Sequence, residues 1–343
     1  MTAKAARRLL STDKTPKQKW NLVKARLAYL RRAPLVPAYP VKLTIDPCNY
    51  CNLHCAFCPV GQGAKGRQQG VMTFELFQRL IDECGPYLWT IDLFNWGEPL
   101  LNADLCRMVS YARERHIDVV VSSNMNRLSD TMCRDLVESD LSLLICSVDG
   151  ASQETTEKYQ RGTKFGVVME NMRSVIETRN RLHRKRPLVQ WRFVVNRYNE
   201  SEIPRAREMA EALGVDIFEL AHMRCDMGKE LLLDNAAQFR SANGWLPEDQ
   251  THSLYDYATC SKRHLRDVCR FLWLESVIHP RGEVSPCCAV WHESLDFGSI
   301  SSGSFMEVWN GAKYLEARRI IRGDEQDAPG NICAVCKRNK ALI

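Results

Sequence analysis

The stretch "DPCNYCNLHCAFCPVG", residues 46–61, places four cysteines within eleven positions and shapes how the rest of the chain is interpreted. Cys51, Cys55 and Cys58 have the spacing CxxxCxxC, and Cys48 precedes them. A structural zinc site usually takes four protein ligands, whereas a [4Fe-4S] cluster held by three cysteines keeps one iron open. Three thiolates in one tight loop therefore favour an iron-sulfur cluster, with zinc as the alternative.

Six apolar segments alternate with helical patterns between residues 41 and 222. The candidate strands are 41–46, 89–95, 118–123, 143–149, 188–195 and 216–222. One strand and one helix in roughly 30 residues is the size of a βαβ unit, so the sheet should be parallel. Six units fall short of a closed eight-stranded barrel, which predicts an α/β fold with a partial (β/α)6, TIM-like barrel. The cysteines follow the first strand, so they lie at the C-terminal rim, where such barrels place active sites.

The composition restricts the setting in which these cysteines act. The 343 residues include 15 cysteines, and we find neither a secretory signal nor an apolar run long enough to span a bilayer. We therefore expect a cytoplasmic protein without integral membrane association, in which clustered thiols bind metal rather than form disulfides. The net charge of +6 is spread along the chain, so no nucleic-acid partner is expected.

The segment before the barrel is a basic, helix-period stretch over residues 17–32, and prolines follow it. Its apolar residues fall on one side of the predicted helix, and they are Trp20, Leu22, Val23, Leu27 and Leu30. We expect the helix to pack on the domain surface. The alternative is a helix that binds a membrane surface or a partner.

The motif "CNLHCAFC", with Phe57 before the last cysteine, resembles the signature of the radical S-adenosylmethionine (SAM) superfamily. That family has the partial barrel predicted above. The resemblance implies that Cys51, Cys55 and Cys58 hold a [4Fe-4S] cluster whose open iron binds SAM. It further implies that SAM is split into methionine and a 5′-deoxyadenosyl radical, which abstracts a hydrogen atom from the substrate.

Further segments resemble SAM-binding motifs of the same family. "NWGEPLL", residues 95–101, resembles its GGEP segment, although Trp96 stands where the first glycine is expected. Two strand ends, "SSN" and "SVDG", place hydroxyl groups at the rim, and "KYQRG" adds an arginine that could meet a carboxylate. The SAM contacts implied by the resemblance are Phe57, Gly97, Glu98, Pro99, Ser123, Ser147 and Arg161.

The barrel rhythm ends near residue 222, and seven further cysteines follow. The segment from Cys269 to "CAVC" resembles the SPASM and shorter twitch extensions of radical SAM enzymes, which hold auxiliary [4Fe-4S] clusters. The implied ligands of one such second cluster are Cys269, Cys287, Cys333 and Cys336, with Cys288 as an alternative to Cys287. Zinc stays an alternative here as well. In either case we expect the metal, rather than an apolar core, to hold this segment together.

The expected domain organisation follows from these segments. We predict a basic helical leader over residues 1–40, the barrel over 41–225, a linker over 226–265 and the auxiliary-cluster domain over 266–343.

The predicted function is that of a radical SAM oxidoreductase acting on a small polar metabolite of the sugar or aminocyclitol type. An auxiliary cluster near the substrate could accept an electron and make the reaction a dehydrogenation. Cys225, just after the last strand, could instead return a hydrogen atom and make the enzyme an epimerase. Arg192 is expected to face into the barrel and orient the substrate, although a structural salt bridge would explain it equally well.

Two alternatives remain, a peptide maturase and a non-enzymatic zinc protein. The small substrate is favoured over a peptide because the 40-residue leader is too short for a winged-helix peptide-binding domain. A flavodoxin or ferredoxin is the expected electron donor.

Overall fold

The computed structural model describes residues 13–224, 242–263, 269–325 and 330–338. Its centre is a curved sheet of six parallel strands in the order β1 to β6, and helices connect successive strands. The strands are β1 (Lys42–Ile45), β2 (Thr90–Asp92), β3 (Asp118–Ser123), β4 (Leu143–Ser147), β5 (Leu188–Val195) and β6 (Ile217–His222). The helices that precede or connect them are α1 (Pro16–Leu30), α2 (Phe74–Cys84), α3 (Leu105–Arg113), α4 (Asp130–Glu138), α5 (Gln153–Tyr159), α6 (Phe165–Arg181) and α7 (Ile203–Leu213). The predicted α/β fold with a partial (β/α)6 barrel is confirmed.

Local sequence signals begin several of these helices. Thr73, Ser129 and Ser152 precede α2, α4 and α5, and each side-chain oxygen accepts a backbone N–H from the first turn. These caps satisfy amides that have no partner within the helix.

Alternate residues of each strand face opposite sides of the sheet. On β5, Trp191, Phe193 and Val195 are buried in the main hydrophobic core, which the helices cover. Gln190 and Arg192 line the interior of the barrel instead. The interior therefore carries polar side chains on this strand, while the predicted role of Arg192 stays a prediction.

The C-terminal segment extends the barrel sheet. Its elements are β7 (Tyr255–Asp256), β8 (Ser261–Lys262), α8 (Phe271–Leu274), β9 (Glu275–Ile278), β10 (Glu283–Ser285), β11 (Gly298–Ser299), α9 (Phe305–Trp309), α10 (Ala312–Arg322) and α11 (Ile332–Arg338). Strand β9 pairs in parallel with β1, while β10 and β11 continue the sheet in antiparallel fashion. The described strands thus form one nine-stranded sheet in the order β11-β10-β9-β1-β2-β3-β4-β5-β6, beside the separate pair β7-β8.

This segment also shares the main hydrophobic core. Trp273, Phe305, Trp309 and Tyr314 are buried in the same cluster as the outer face of the barrel. The expectation that metal rather than a core holds the segment together is wrong in this respect. Its aromatic residues are spread over three short helices, so no single stretch shows the periodicity of a core-forming element.

Helix α1 lies across the N-terminal ends of the barrel strands, and its orientation corrects the sequence-based expectation. Its inward face consists of Gln18, Asn21, Ala25 and Ala28. The Nε2 of Gln18 donates to the carbonyl of Leu88 at 2.7 Å, and Asn21 donates to two further carbonyls. The apolar side therefore points to solvent, because the loops under the helix present carbonyl groups that need donors.

No helix in the described part of the chain is both long enough and apolar enough to cross a membrane.

Candidate active site

The cysteine loop, residues 48–58, leaves the end of β1 and is fixed against the segment after α5. The amide of His54 donates to the carbonyl of Arg161, and the amide of Ala56 donates to that of Tyr159, both at 3.0 Å. The exposed side chain of Arg161 makes neither bond, so its predicted contact with SAM stays a prediction.

The three cysteines of the motif are gathered in this loop with their thiols withdrawn from water. Burial raises the pKa of Cys51 to about 11, and it raises the pKa of Cys55 well above its ordinary value. The thiols of Cys58 and Cys51 raise the pKa of Cys55 further. Three half-buried cysteines, two of which have a pKa raised partly by a neighbouring thiol, suit a site where iron compensates the negative charge. The residues therefore fit the expected [4Fe-4S] cluster.

The loop after β2 packs directly on the cysteine loop. A Cβ atom at Gly97 would lie 2.1 Å from the carbonyl oxygen of Cys48 and 2.9 Å from that of Tyr50. The amide of Glu98 donates to the carbonyl of Tyr50 at 3.0 Å, and Pro99 begins a short turn. Only glycine allows this approach, which explains the residue type at position 97.

The carboxylate of Glu98 is buried and ties β2 to the end of β3. Its oxygens accept the amides of Leu100 at 3.0 Å and of Asn124 at 2.8 Å. Burial raises the pKa of Glu98, while these bonds and the Ser123 hydroxyl act in the opposite direction. The structure thus gives Glu98 a loop-positioning contact, and its predicted contact with SAM stays a prediction.

Trp96 departs from the glycine of the family motif, and the structure shows what it contacts. Its indole Nε1 donates to the carbonyl of Val290 at 3.2 Å, and its ring meets that of Trp291 edge-on at 5.8 Å. Its amide donates to the carboxylate of Asp46 at 2.9 Å. Trp96 therefore joins the barrel rim to the C-terminal segment.

Polar side chains at the strand ends complete the rim. The hydroxyl of Ser147 lies 3.1 Å from that of Ser122, and the hydroxyl of Ser123 accepts the amide of Met125. Asn124, which was not among the predicted contacts, donates to the sulfur of Cys51 at 3.5 Å and to Asn52 at 2.9 Å. Its place directly after a predicted strand was the available signal.

A second residue missed by the sequence analysis is Asp149, two positions after the end of β4. It is buried, and its Oδ1 accepts the amide of Val194 at 2.8 Å. Burial raises its pKa from the ordinary value of 3.8 to about 7. The charge of Asp149 in turn raises the pKa values of Cys55 and Tyr159, so this carboxyl lies in the electrostatic environment of the cysteine loop.

A cleft of about 430 Å³ opens at the rim beside Cys58. Phe57 forms part of its wall, stacking on Tyr159 at 6.3 Å and meeting Trp245 edge-on at 5.6 Å. Arg192 and Glu219 also line the cleft, and the Nε of Arg192 lies 3.1 Å from the Oε2 of Glu219. The cleft thus combines an aromatic wall with a charged pair.

A second cavity of about 550 Å³ lies deeper in the barrel, and Arg192 lines both spaces. Lys42 and Asp92 form an ion pair of 2.5 Å in this lower cavity, which Glu275 also lines. Arg192, paired with Glu219 on the rim side, therefore lies between the rim cleft and a charged interior. A group that enters from the rim would meet this pair first.

The predicted auxiliary-cluster ligands lie within electrostatic range of one another in the C-terminal segment, and we refer to Cys269, Cys287, Cys333 and Cys336 as the C-terminal thiol group. Burial raises the pKa of Cys333 well above its ordinary value, and the other three thiols of the group raise it further. Burial likewise raises the pKa of Cys287 well above its ordinary value, and the charges of Cys288, Cys269 and Cys336 raise it further.

The adjacent Cys288 has different surroundings. The charges that act on its thiol are those of Arg224, Glu275, Lys42 and Asp92, which lie toward the barrel interior. The charge of Cys288 also raises the pKa values of Cys269 and Cys287, so the choice of Cys287 over Cys288 as a ligand stays a prediction.

A buried chain of hydrogen bonds joins the two cysteine-containing regions. His279 bonds through Nδ1 to Asp46 at 2.9 Å and through Nε2 to Ser285 at 2.8 Å. The Ser285 hydroxyl donates to Asp296, whose carboxylate forms a two-point pair with Arg67. Asp46 precedes the cysteine loop and Ser285 ends β10 beside the C-terminal thiol group. These hydrogen bonds therefore connect the cysteine loop to the C-terminal thiol group.

Among the described residues, no three His, Cys, Asp or Glu side chains are drawn closely enough together to hold a single metal ion. The assignment of both thiol groups therefore rests on residue type, burial and family membership. Cys225, the predicted hydrogen donor, lies outside the described residues.

Comparison with known proteins identifies the family. The model of the radical SAM superfamily matches residues 45–184, and that of the SPASM iron-sulfur cluster-binding domain matches residues 269–337. The chain belongs to the radical SAM superfamily. As a radical SAM protein with a SPASM region, it uses SAM and [4Fe-4S] clusters, as expected from the cysteine motifs. The matches give no support to the alternative of a non-enzymatic zinc protein.

The individual relatives have low sequence identity to this chain but match most of its length. The tungsten-containing aldehyde ferredoxin oxidoreductase cofactor-modifying protein of Pyrococcus furiosus is 22% identical, over 82% of this chain and 83% of that protein. The PqqA peptide cyclase of Granulibacter bethesdensis is 23% identical, over 82% of this chain and 76% of that protein. Among solved structures, Streptococcus suis SuiB bound to precursor peptide SuiA is similar with a TM-score of 0.63 at 14% identity, over 92% of this chain and 75% of that one.

Proposed function

We propose that this radical SAM enzyme modifies a peptide. This replaces the sequence-based preference for a sugar or aminocyclitol substrate. A peptide cyclase is among the relatives that match most of this chain, and a protein of similar fold is bound to a precursor peptide. The observation that carries the proposal is the rim cleft beside Cys58, which leads down to the Arg192–Glu219 pair. A peptide could lie across the rim while one side chain reaches this pair.

Different residues at this site would hold the cluster and position SAM. Cys51, Cys55 and Cys58 would hold the SAM-binding cluster, which together with SAM supplies a radical able to abstract hydrogen. The loop containing Gly97 and the strand ends at 123 and 147 would position SAM over the barrel.

Other residues act on the substrate and its surroundings. Phe57, Tyr159 and Trp245 form the aromatic wall, which excludes water from the reacting groups. Arg192 and Glu219 present a guanidinium and a carboxylate to the incoming side chain, and they orient it by charged hydrogen bonds.

A second candidate, oxidation of a small polar metabolite, is favoured by one observation. The lower cavity carries Lys42, Asp92 and Glu275, which suit a ligand rich in hydroxyl or amino groups. Under this alternative the whole substrate would lie in the lower cavity, beyond the Arg192–Glu219 pair.

The test compares the two substrate classes on the reconstituted enzyme under anaerobic conditions with reductant and SAM. Candidate precursor peptides from neighbouring genes and a panel of aminocyclitols and sugars are supplied separately. The proposal expects 5′-deoxyadenosine in proportion to a mass change of a peptide. Turnover of a sugar, with no peptide changed, would contradict it.

Matched cysteine variants identify the chemistry in the same assay. Cys55→Ala should abolish formation of 5′-deoxyadenosine, while Cys106→Ala, on helix α3 beside the sulfur of Met132, should leave it unchanged. Equal activity in both variants would show that the cysteine loop does not hold the SAM-binding cluster.

A further inference from the structure

Helix α1 presents an apolar stripe to solvent. Trp20, Val23, Leu27 and Leu30 follow one another at intervals of three and four residues, which places them on one helix face. Their side chains are 64%, 45%, 44% and 74% exposed, respectively. The opposite face packs on the barrel through Gln18, Asn21, Ala25 and Ala28, so the stripe is not needed to hold the helix in place.

Basic side chains border this stripe on both sides. At 100° per residue, Lys19 and Arg26 fall on one flank, while Lys17, Lys24 and Arg31 fall on the other. The sequence contains no Asp or Glu between Lys14 and Ile45, so no acidic side chain of the helix or its neighbouring loop neutralises them. An exposed apolar stripe between two rows of cations is one feature of helices that lie in the plane of a membrane interface.

The charge pattern also selects among occupants. A second copy of the chain paired through its own α1 would bring the same cations against these ones, and this stretch offers no acidic partner for them. An anionic lipid surface satisfies both features at once, because the stripe enters the acyl boundary while lysine and arginine contact the headgroups.

We propose that α1 docks this enzyme on an anionic lipid bilayer. The helix crosses the N-terminal ends of the strands, and Leu22 and Arg26 line the lower cavity from that side. The rim cleft lies at the other end of the barrel. Docking through α1 would therefore leave the rim open to the substrate. This inference does not depend on the proposed peptide modification.

The test uses the full-length protein with its clusters reconstituted anaerobically. Flotation is measured with vesicles of phosphatidylcholine alone and with vesicles of equal parts phosphatidylcholine and phosphatidylglycerol. The protein should float with the anionic vesicles only, and added salt should weaken binding. Failure to float with anionic vesicles, or equal binding to both kinds, would overturn the proposal.

Two matched substitutions separate the stripe from general surface effects. Leu27→Glu places a charge in the stripe, and Val167→Glu does so at a similarly exposed valine on helix α6, 41% exposed against 44% for Leu27. The stripe variant should reduce partitioning by at least about ten-fold, whereas the control should bind as the wild type does. Both should keep the visible absorption of the clusters. Equal flotation of the two variants would show that another surface binds lipid.

Charge and depth can be measured separately. The double variant Lys19→Glu/Arg31→Glu should lower binding to anionic vesicles by about ten-fold or more. All eight tryptophans lie in the described part of the chain, and Trp20 is the exposed one. Brominated lipid should therefore quench emission in the wild type and not in Trp20→Phe, which should still float. Quenching that persists in Trp20→Phe would place a different surface in the membrane. If the wild-type protein does not bind vesicles but forms a dimer that Leu27→Glu converts into a monomer, the stripe joins two copies of the chain and the proposal is wrong.

Discussion

At the scale of single residues, close contacts decide which side chains the site accepts. Gly97 meets the carbonyl groups of Cys48 and Tyr50, and no larger residue leaves room for them. The motif "GEP" was visible in the sequence, but the reason for its glycine is a contact between two loops that follow different strands.

Gly97→Ala should displace the cysteine loop because a Cβ would lie 2.1 Å from the carbonyl oxygen of Cys48. We expect a loss of about 2 kcal/mol or more in the free energy of unfolding and a marked loss of bound iron. Denaturant unfolding and iron analysis of the reconstituted protein measure both. The control is Gly166→Ala on α6, where a Cβ meets nothing within 4 Å. Similar results for the two variants would contradict the steric argument.

Asp149 gives a prediction about pH. Its pKa in the folded protein is raised from 3.8 to about 7 by burial, so the folded state holds the proton more tightly than the unfolded state. The stabilising contribution is therefore complete below about pH 4 and is lost as the pH rises through about 7.

Asp149→Asn keeps an oxygen for the Val194 amide but removes the buried charge. The variant should be more stable than the wild type at pH 8, by roughly 1 to 4 kcal/mol, and the difference should shrink toward pH 5. Denaturant unfolding across this range measures it. Asp256→Asn, at an exposed carboxylate whose pKa is lowered by the Thr259 amide, should not reproduce the trend. A pH-independent difference for Asp149→Asn would refute the assigned titration.

At the scale of elements, the sequence correctly predicted helix α1 but not which of its faces is buried. The periodic apolar residues predicted the helix, but polar residues face the barrel because Gln18 and Asn21 satisfy loop carbonyls. A buried carbonyl without a donor costs more than a buried leucine would contribute in this position. The need for hydrogen-bond donors on this face becomes visible only in the structure of the barrel loops that the helix packs against.

Gln18→Leu should therefore destabilise the protein although it makes the inward face more apolar. The carbonyl of Leu88 loses its donor at 2.7 Å, for which we expect a cost of about 1 to 3 kcal/mol. Thermal or denaturant unfolding provides the measurement. Lys19→Leu, at the exposed neighbouring position, should change stability by less than about 0.5 kcal/mol. A stabilising effect of Gln18→Leu would show that the hydrogen bond is dispensable.

At the scale of the whole molecule, the barrel and the C-terminal segment form one sheet around one core. Strand β9 pairs with β1, and Trp309 and Tyr314 share the main core cluster. The buried chain from Asp46 through His279 to Ser285 then links the cysteine loop to the C-terminal thiol group. A disturbance at one site should consequently be felt at the other.

His279→Leu tests this coupling because it removes both hydrogen bonds at once. We expect a cost of about 3 kcal/mol or more, since the buried carboxylate of Asp46 loses the imidazole at its Oδ2 and keeps only the Trp96 amide as a close donor. His279→Gln should recover part of the stability. Electron paramagnetic resonance of the reduced protein should show altered signals from both clusters in His279→Leu, while a change in one cluster alone would argue against coupling.

The sequence by itself determined the cysteine motif, the six βα units, the partial barrel and the division into two cysteine groups. These features depend on short-range spacing and on the periodicity of apolar residues, which the chain carries locally. The tertiary structure alone decided which face of α1 is buried, why Gly97 and Trp96 stand in their positions, and that Asp149, Asn124 and the His279 chain belong near the sites. Those outcomes depend on contacts between residues far apart in the chain, where a carbonyl, a ring or a carboxylate from another element sets the local free energy.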